Sequence, residues 1–153
     1  PFYSKAAQPI PDLPDKAILQ LINLYSDGIA QSCPEFRCIK YGHFFDESSD
    51  DAIAMFSLEG FGGGNGHGEY IAFFQGVEPY EANGERTSPY RMIATMQIGG
   101  RWWRTFDWKS LSIAPGIAKI SGKGWRSEDP GCCPSAPFTT TFQLQEDRVV
   151  ESD

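Results

Sequence analysis

Two adjacent cysteines, Cys132 and Cys133, lie between prolines near the end of the sequence, and they constrain the fold more than any other feature. The chain has four cysteines, and the other two, Cys33 and Cys38, lie about 100 residues upstream. An even number of cysteines is what a disulfide framework requires, and four cysteines allow three pairings. The sequence therefore predicts a fold that is stapled by disulfide bonds.

The three pairings differ in which parts of the chain they would join. One joins Cys33 to Cys38 and Cys132 to Cys133, although a bond between sequence neighbours closes a strained ring. The other two cross-link the upstream cysteines to the downstream ones, and the sequence does not choose between them. A bridge that closes a loop of about 100 residues contributes on the order of 4–5 kcal/mol in the chain-entropy treatment. Redox or zinc chemistry is less favoured, because neither spacing matches Cys-x-x-Cys or a zinc knuckle.

The residues around these cysteines resemble a known C-terminal signature. Asp129 precedes Cys132-Cys133-Pro134-Ser135, a Thr-rich strand follows at residues 139–144, and a short strand closes the chain at residues 148–151. This arrangement is similar to that of small exported bacterial proteins, including mycobacterial lipoproteins of the LppP/LprE type. The resemblance implies export and a structural cysteine pair, and it implies no catalytic residues.

Length and charge limit the classes of protein to consider. At 153 residues, the chain is predicted to form a single domain, with residues 1–13 as an extended N-terminal arm. A net charge of −7 argues against nucleic acid or an anionic membrane as the main partner, because phosphate neutralisation requires clustered lysine and arginine. No apolar run is long enough to cross a membrane. With the cysteines, these features favour a mature periplasmic or secreted protein whose signal peptide has been removed.

Hydrophobic periodicity predicts an α+β fold. Apolar residues recur at helical spacing from Ile18 to Ile29, which predicts one amphipathic helix over residues 14–30. Short strands follow, with the clearest hairpin built around a Gly99-Gly100 turn. The predicted strands cover residues 36–41, 52–58, 70–74, 90–98, 101–106, 117–120, 139–144 and 148–151. We expect the helix to pack on a curled antiparallel meander sheet of seven to eight strands.

Catalytic motifs are absent from the sequence. His43 and His67 are the only histidines, and neither belongs to a His-Glu-x-x-His zinc motif. Ser135 follows a proline and lacks the Gly-x-Ser-x-Gly pattern of a nucleophile elbow. The glycine-rich run at residues 60–68 lacks the lysine of a phosphate-binding loop. The sequence therefore predicts no catalytic residues, no cofactor and no metal.

Surface features instead favour binding to a protein. The glycine run is predicted to be a flexible loop, or alternatively a partner-binding loop whose polar contacts include Asn65, His67 and Glu69. An acidic turn supplies four carboxylates that could meet a basic partner, namely Asp46, Glu47, Asp50 and Asp51. Trp102 and Trp103 would point to opposite faces of a strand, so one is expected in the core. The other, taken here as Trp103, would be an exposed interface anchor.

These observations lead to a first functional hypothesis and two alternatives. The first is a non-catalytic exported binding protein, such as a periplasmic immunity or inhibitor protein that neutralises a secreted toxin or an envelope hydrolase. One alternative is an envelope hydrolase that acts on lipid or peptidoglycan through His67 or His43. The other is an envelope protein that binds glycan or lipid through exposed tryptophans.

Overall fold

A computed structural model of the chain describes residues 12–26, 30–32, 39–59 and 67–152. The helix α1 covers Asp12–Ser26, and its buried stripe includes Ile18 and Ile22, four residues apart on one face. The predicted helix extended to residue 30, but Ala30 already belongs to a strand. No helix among the described residues combines the length and the apolar character that crossing a bilayer requires.

Eleven strands are found in the described part of the chain. Nine form one antiparallel sheet, and the other two, β5 and β6, form a separate two-stranded ribbon. In chain order the strands are β1 Ala30–Ser32, β2 Ile39–Gly42, β3 Asp51–Glu59, β4 His67–Gly76, β5 Glu81–Ala82, β6 Glu85–Arg86, β7 Tyr90–Gly100, β8 Arg104–Ala114, β9 Ile117–Gly124, β10 Ala136–Gln145 and β11 Arg148–Ser152.

The order of strands across the sheet is β11-β10-β9-β8-β7-β4-β3, and β1 and β2 share the far edge of β3. On that edge, β1 pairs with residues 56–58 and β2 with residues 51–54. The nine strands therefore fill eight positions. The α+β class and the antiparallel meander are as predicted.

The sheet is not strongly curled, which corrects the predicted shape. It bends instead between β7 and β8, which share a single paired position, Gly100 with Arg104. Phe73 on β4 and Phe142 on β10 are four strand positions apart, about 19 Å in a flat sheet. Their ring centroids are nevertheless only 5.8 Å apart. The half of the sheet that contains β1–β4 and β7 therefore faces the half that contains β8–β11.

Two hydrophobic clusters follow from this three-layer arrangement. The first lies between the two halves of the sheet and includes Phe44, Phe73 and Phe142. The second lies between α1 and the outer face of the first half. Strand β3 contributes to both, because Ile53 faces one cluster and Ala54 the other. Strand β3 is therefore buried on both faces, which explains its continuous apolar sequence.

The hairpin between β7 and β8 turns two residues later than predicted. Gly99 and Gly100 belong to β7, and the turn is formed by residues 101–103. A Cβ atom at Gly99 would lie 2.7 Å from the carbonyl oxygen of Arg104. The glycine is therefore required by the close approach of two backbones at the bend and does not form the turn.

Candidate functional site

The predicted partner-binding residues lie at two opposite ends of the molecule. Residues 43–50 precede β3, and the eight residue steps of this strand place its two ends, Asp51 and Glu59, about 26 Å apart. We call the loop of residues 43–51 the acidic end. The tryptophan end comprises residues 101–103, the loop of residues 125–135, and Glu69, which pairs with Gly99 across the sheet. Among the described residues, the predicted site residues are therefore divided between these two ends.

Asp51 at the acidic end is a buried structural residue, not part of an exposed binding surface. It is 1% exposed, and its carboxylate accepts hydrogen bonds from four groups. The donors are the backbone N–H groups of Phe44, Phe45 and Gly76 and the hydroxyl of Ser49. These bonds fix the loop to the end of the sheet, so this carboxylate is occupied within the protein.

The other acidic residues of this loop are exposed, although one of them also organises the loop. Asp46 accepts hydrogen bonds from the backbone N–H groups of Ser48 and Ser49, each at 2.7 Å. The bonds from Ser48, followed by the bond from Ser49, lower the pKa of Asp46 below its ordinary value of 3.8. Glu47 and Asp50 are exposed, and 92% of the Asp50 side chain is accessible.

Both members of the tryptophan pair are exposed, because the pair lies in a turn and not in a strand. Trp102 is 56% exposed and Trp103 is 44% exposed, so the expectation that one of them is in the core was wrong. Trp102 adopts a φ of 65°, a left-handed conformation that is unusual for a large side chain. Such conformations persist only where surrounding contacts enforce them.

Gly131 and Trp125 provide those contacts for Trp102. The backbone N–H of Trp102 donates to the carbonyl of Gly131 at 3.2 Å. The Trp102 ring lies directly on Gly131, since a Cβ atom there would be 2.5 Å from the ring. Trp125 meets the Trp102 ring edge to face, with the centroids 5.3 Å apart. We call Gly131 and Trp125 the Trp102 seat.

Arg104 secures the base of the same turn. Its guanidinium donates to both carboxylate oxygens of Glu151, at 2.9 and 2.8 Å, and lies 4.5 Å from the centre of the Trp103 ring. Burial alone would raise the pKa of Glu151, but hydrogen bonds from Arg104 and Thr140 and the charge of Arg104 lower it. The pair joins β8 to β11 and supports Trp103 from below.

The loop of residues 125–135 is held by one carboxylate. Asp129 accepts hydrogen bonds from the backbone N–H groups of Arg126 and Ser135, each at 2.9 Å, and also from the Ser135 hydroxyl. The bond from the Arg126 backbone, followed by those from Ser135, lowers the pKa of Asp129 although desolvation opposes it. Ser135 therefore closes the loop, and its hydroxyl is engaged by Asp129.

Cys132 and Cys133 in this loop are bonded to each other. Their Cα atoms are 3.8 Å apart, the spacing of an ordinary trans peptide. Since both sulfur atoms are used within the pair, the long-range cross-links from Cys33 and Cys38 to these cysteines are not formed. Cys33 and Cys38 lie outside the described residues. Of the pairings that the sequence left open, the structure shows the local one at Cys132 and Cys133.

A cleft of about 280 Å³ opens beside the tryptophan turn. Its walls include Glu69, Arg101, Thr105 and Cys132. The Glu69 carboxylate accepts hydrogen bonds from the Thr105 hydroxyl at 2.7 Å and from the Phe106 backbone N–H at 3.3 Å. Glu69 is thus the predicted polar contact that the structure brings into the cleft beside the tryptophan turn. The backbone of His67 pairs with Glu59 near this end, whereas Asn65 lies outside the described residues.

Among the described residues, His43 has backbone and carboxylate groups near its ring. Its ring lies in an exposed loop, where Nδ1 is 2.6 Å from the carbonyl oxygen of Ser49 and 4.0 Å from Asp50. The Ser49 hydroxyl donates to Asp51. No group of three or more potential metal ligands occurs within residues 12–26, 30–32, 39–59 and 67–152.

Neither the Trp102 seat nor the pair of Arg104 with Glu151 was predicted from the sequence. One signal for the first was available: the Cys-Cys segment carries Trp125 and Gly131 just before it, and a ring resting on backbone requires a glycine. The partnership of Arg104 with Glu151 depends on strands 47 residues apart and leaves no local trace in the sequence. Comparison with protein-family models, with curated proteins and with solved structures finds no match to this chain.

Proposed function

We propose that this chain is a non-catalytic exported binding protein, and that the tryptophan end grips a protein partner. The observation that carries the proposal is the rigid display of Trp102 and Trp103, two large side chains that are 56% and 44% exposed on one turn. Tryptophan and arginine dominate the energetics of protein interfaces. Arg101, which is also exposed, lies 5.8 Å from the Trp102 ring.

Preorganisation is the second argument for this end. The Trp102 seat and the pair of Arg104 with Glu151 fix the two rings before a partner arrives, so less conformational entropy is lost on binding. At the acidic end, Asp51 is buried and Asp46 is bonded to its own loop. Glu47 and Asp50 are the remaining carboxylates of this end, and both are exposed. Exposed charges of this kind guide the approach of a basic partner more than they contribute to tight contact.

The partner that fits best is a toxin or an envelope hydrolase, with this chain as its periplasmic immunity or inhibitor protein. The net charge of −7 favours a basic partner surface. The exposed tryptophan pair beside a cleft of about 280 Å³ would receive a protruding side chain of that partner. Inhibition would follow from covering the partner's active site, without chemistry by this chain.

A capture experiment with matched variants tests the proposal. Wild-type protein, a Trp102→Ala/Trp103→Ala variant and an Asp46→Ala/Glu47→Ala/Asp50→Ala variant are immobilised and exposed to the native envelope fraction. We expect a stoichiometric partner that is lost at least tenfold with the tryptophan variant, because two anchors contribute about 2 kcal/mol or more each. The acidic variant should retain it, and the purified partner should lose its activity in the complex.

Two results would contradict the proposal. The first is the absence of any stoichiometric protein partner. The second is a partner that binds the tryptophan variant as well as the wild type and is lost with the acidic variant. Circular dichroism of each variant is the control, because it shows whether a variant that fails to capture the partner is still folded.

A glycan ligand is the second candidate, and the polar cleft beside exposed tryptophans favours it. Carboxylate, guanidinium and hydroxyl groups line that cleft, from Glu69, Arg101 and Thr105. A titration of tryptophan fluorescence with soluble peptidoglycan fragments distinguishes this candidate from the first. A saturable change that is lost in Trp102→Ala supports a glycan site, and no change at millimolar ligand rules it out.

A further inference from the structure

The bond between Cys132 and Cys133 cannot act as a staple of the whole fold. It joins sequence neighbours, and the stabilisation that a cross-link gives through the unfolded chain decreases as the closed loop becomes shorter. Both cysteines are exposed, so a dissolved thiol can reach them. The effect of the bond on the protein must therefore be local, and the surrounding contacts show which residues it affects.

The loop is held on both sides of the bond by other interactions. Asp129 on one side binds the backbone of Ser135 on the other, at 2.9 Å. The Ser135 N–H also approaches the carbonyl of Gly124 at 3.1 Å, which ties it to the end of β9. These bonds do not involve sulfur. Only residues 130–134 remain for the disulfide to restrain.

Gly131, within that short segment, is part of the Trp102 seat. Gly131 is buried under the Trp102 ring, and its carbonyl accepts the N–H of Trp102 at 3.2 Å. Trp102 holds a left-handed backbone conformation that depends on such support. The disulfide thus constrains the backbone on which the most exposed tryptophan of this end rests.

We propose that Cys132–Cys133 is a reversible redox site that exchanges with a dithiol and controls how firmly Trp102 is held. In the first step, a thiolate of the dithiol attacks one sulfur, forms a mixed disulfide and releases the other cysteine as a thiolate, which takes up a proton. The second thiolate of the dithiol then attacks the dithiol's other sulfur, which is bonded to the protein in the mixed disulfide. This step releases the first cysteine, which also takes up a proton. Two electrons and two protons pass from the dithiol to the protein, and the reagent leaves as a disulfide.

Reduction opens the ring and leaves residues 130–134 held at their ends and by one internal hydrogen bond, from the N–H of Cys133 to the carbonyl of Pro130 at 3.0 Å. The Gly131 carbonyl can then move away from the Trp102 N–H, and the ring leaves its seat for part of the time. Asp129, Ser135 and the sheet remain in place, so the fold is kept. This inference goes beyond the proposed function, because it concerns the free protein and holds for any ligand of the tryptophan end.

Acrylamide quenching of tryptophan emission, with and without dithiothreitol, tests the inference. Accessibility is measured because a disulfide itself quenches a nearby indole, which makes intensity alone ambiguous. We expect reduction to raise the quenching constant of the wild type, and reoxidation to restore it. The rise should be lost in Cys132→Ala/Cys133→Ala and in Trp102→Phe. Cys33 and Cys38 remain in these variants, so any change due to those two cysteines would persist.

Three results would overturn the inference: an unchanged quenching constant in the reduced wild type, an equal rise in the cysteine variant, or peptide maps of the oxidised protein that link Cys132 to Cys33 or Cys38. Circular dichroism shows whether each sample is folded. If the cysteine variant does not fold, the comparison of the wild type with Trp102→Phe, both reduced and reoxidised, decides the question.

Discussion

The two ends of the molecule use carboxylates in the same way but leave different groups on the surface. At the acidic end, Asp51 binds backbone N–H groups and fixes a loop whose exposed side chains are charged. At the tryptophan end, Asp129 likewise binds backbone N–H groups, Glu151 binds the side chain of Arg104, and the groups left exposed are Trp102 and Trp103. A carboxylate in the sequence is therefore a poor guide to a binding surface, because these three are occupied by hydrogen bonds within the protein.

The largest effect on the free energy of unfolding is expected at Asp51, at the acidic end. Asp51→Ala leaves four donors without their acceptor, and hydrogen bonds to a buried charge are stronger than neutral ones. We expect the free energy of unfolding to fall by about 3–4 kcal/mol in urea denaturation. The neighbouring Asp50→Ala should change it by less than about 0.5 kcal/mol, because that side chain is 92% accessible. Equal effects of the two variants would refute the structural role of Asp51.

Arg104 provides the matching test at the tryptophan end. Arg104→Met removes a bidentate pair whose side chains are only 14% and 25% exposed, and it leaves Glu151 partly buried without its main partner. The expected loss is about 2–3 kcal/mol in urea denaturation, less than for a fully buried pair. Arg101→Met, in the exposed turn, is the control and should cost less than about 0.5 kcal/mol. A loss from Arg104→Met no larger than from Arg101→Met would mean that the turn is not secured in this way.

Gly131→Ala separates the seat of Trp102 from the rest of the loop. The added Cβ would lie 2.5 Å from the Trp102 ring, so the ring must shift. We expect a loss of about 1–2 kcal/mol and a larger acrylamide quenching constant. In Gly124→Ala the nearest atom to the new Cβ would be 3.8 Å away, so this variant should match the wild type in both measurements. Unchanged quenching in Gly131→Ala would place the ring elsewhere.

The smallest effect concerns the pH dependence of stability. The folded-state pKa of Glu151 is lowered below its ordinary value of 4.5, because hydrogen bonds from Arg104 and Thr140 outweigh the opposing effect of burial. Its contribution to stability is therefore complete above about pH 4.5 and is lost as the pH falls through the lowered folded-state pKa. In urea denaturation, the difference between wild type and Glu151→Gln should shrink from about pH 6 to pH 3. Glu128→Gln, at an exposed position, is the control, and a difference that grows on acidification would reverse the assigned sign.

The helix and one buried strand could be predicted from the spacing of apolar residues along a short segment of the sequence. The stripe containing Ile18 and Ile22 predicted α1, and the continuous apolar run of residues 52–58 predicted β3, because burial on one or two faces determines the spacing of apolar residues. Strand β8 was predicted only as far as residue 106. In the rest of this strand, more buried residues alternate with exposed polar ones such as Lys109 and Ser112, because one face of the strand lies against solvent.

The candidate site was less predictable, because it depends on contacts between distant strands. The turn was predicted at Gly99-Gly100, because two glycines have the composition of a turn. In the structure, Gly99 is required instead by the close approach of β7 to Arg104 at the bend between β7 and β8. The separation of the two ends could have been found, since the acidic and glycine-rich segments flank the same predicted strand. The pairing of Cys132 with Cys133 could not, because four cysteines leave the connectivity open.

Amide hydrogen exchange of this chain, free and in complex with its captured partner, locates the binding surface. We expect slower exchange in the complex at residues 99–104 and 129–135, together with unchanged exchange at residues 43–50. Protection confined to residues 43–50 would contradict it and would assign the binding surface to the acidic end.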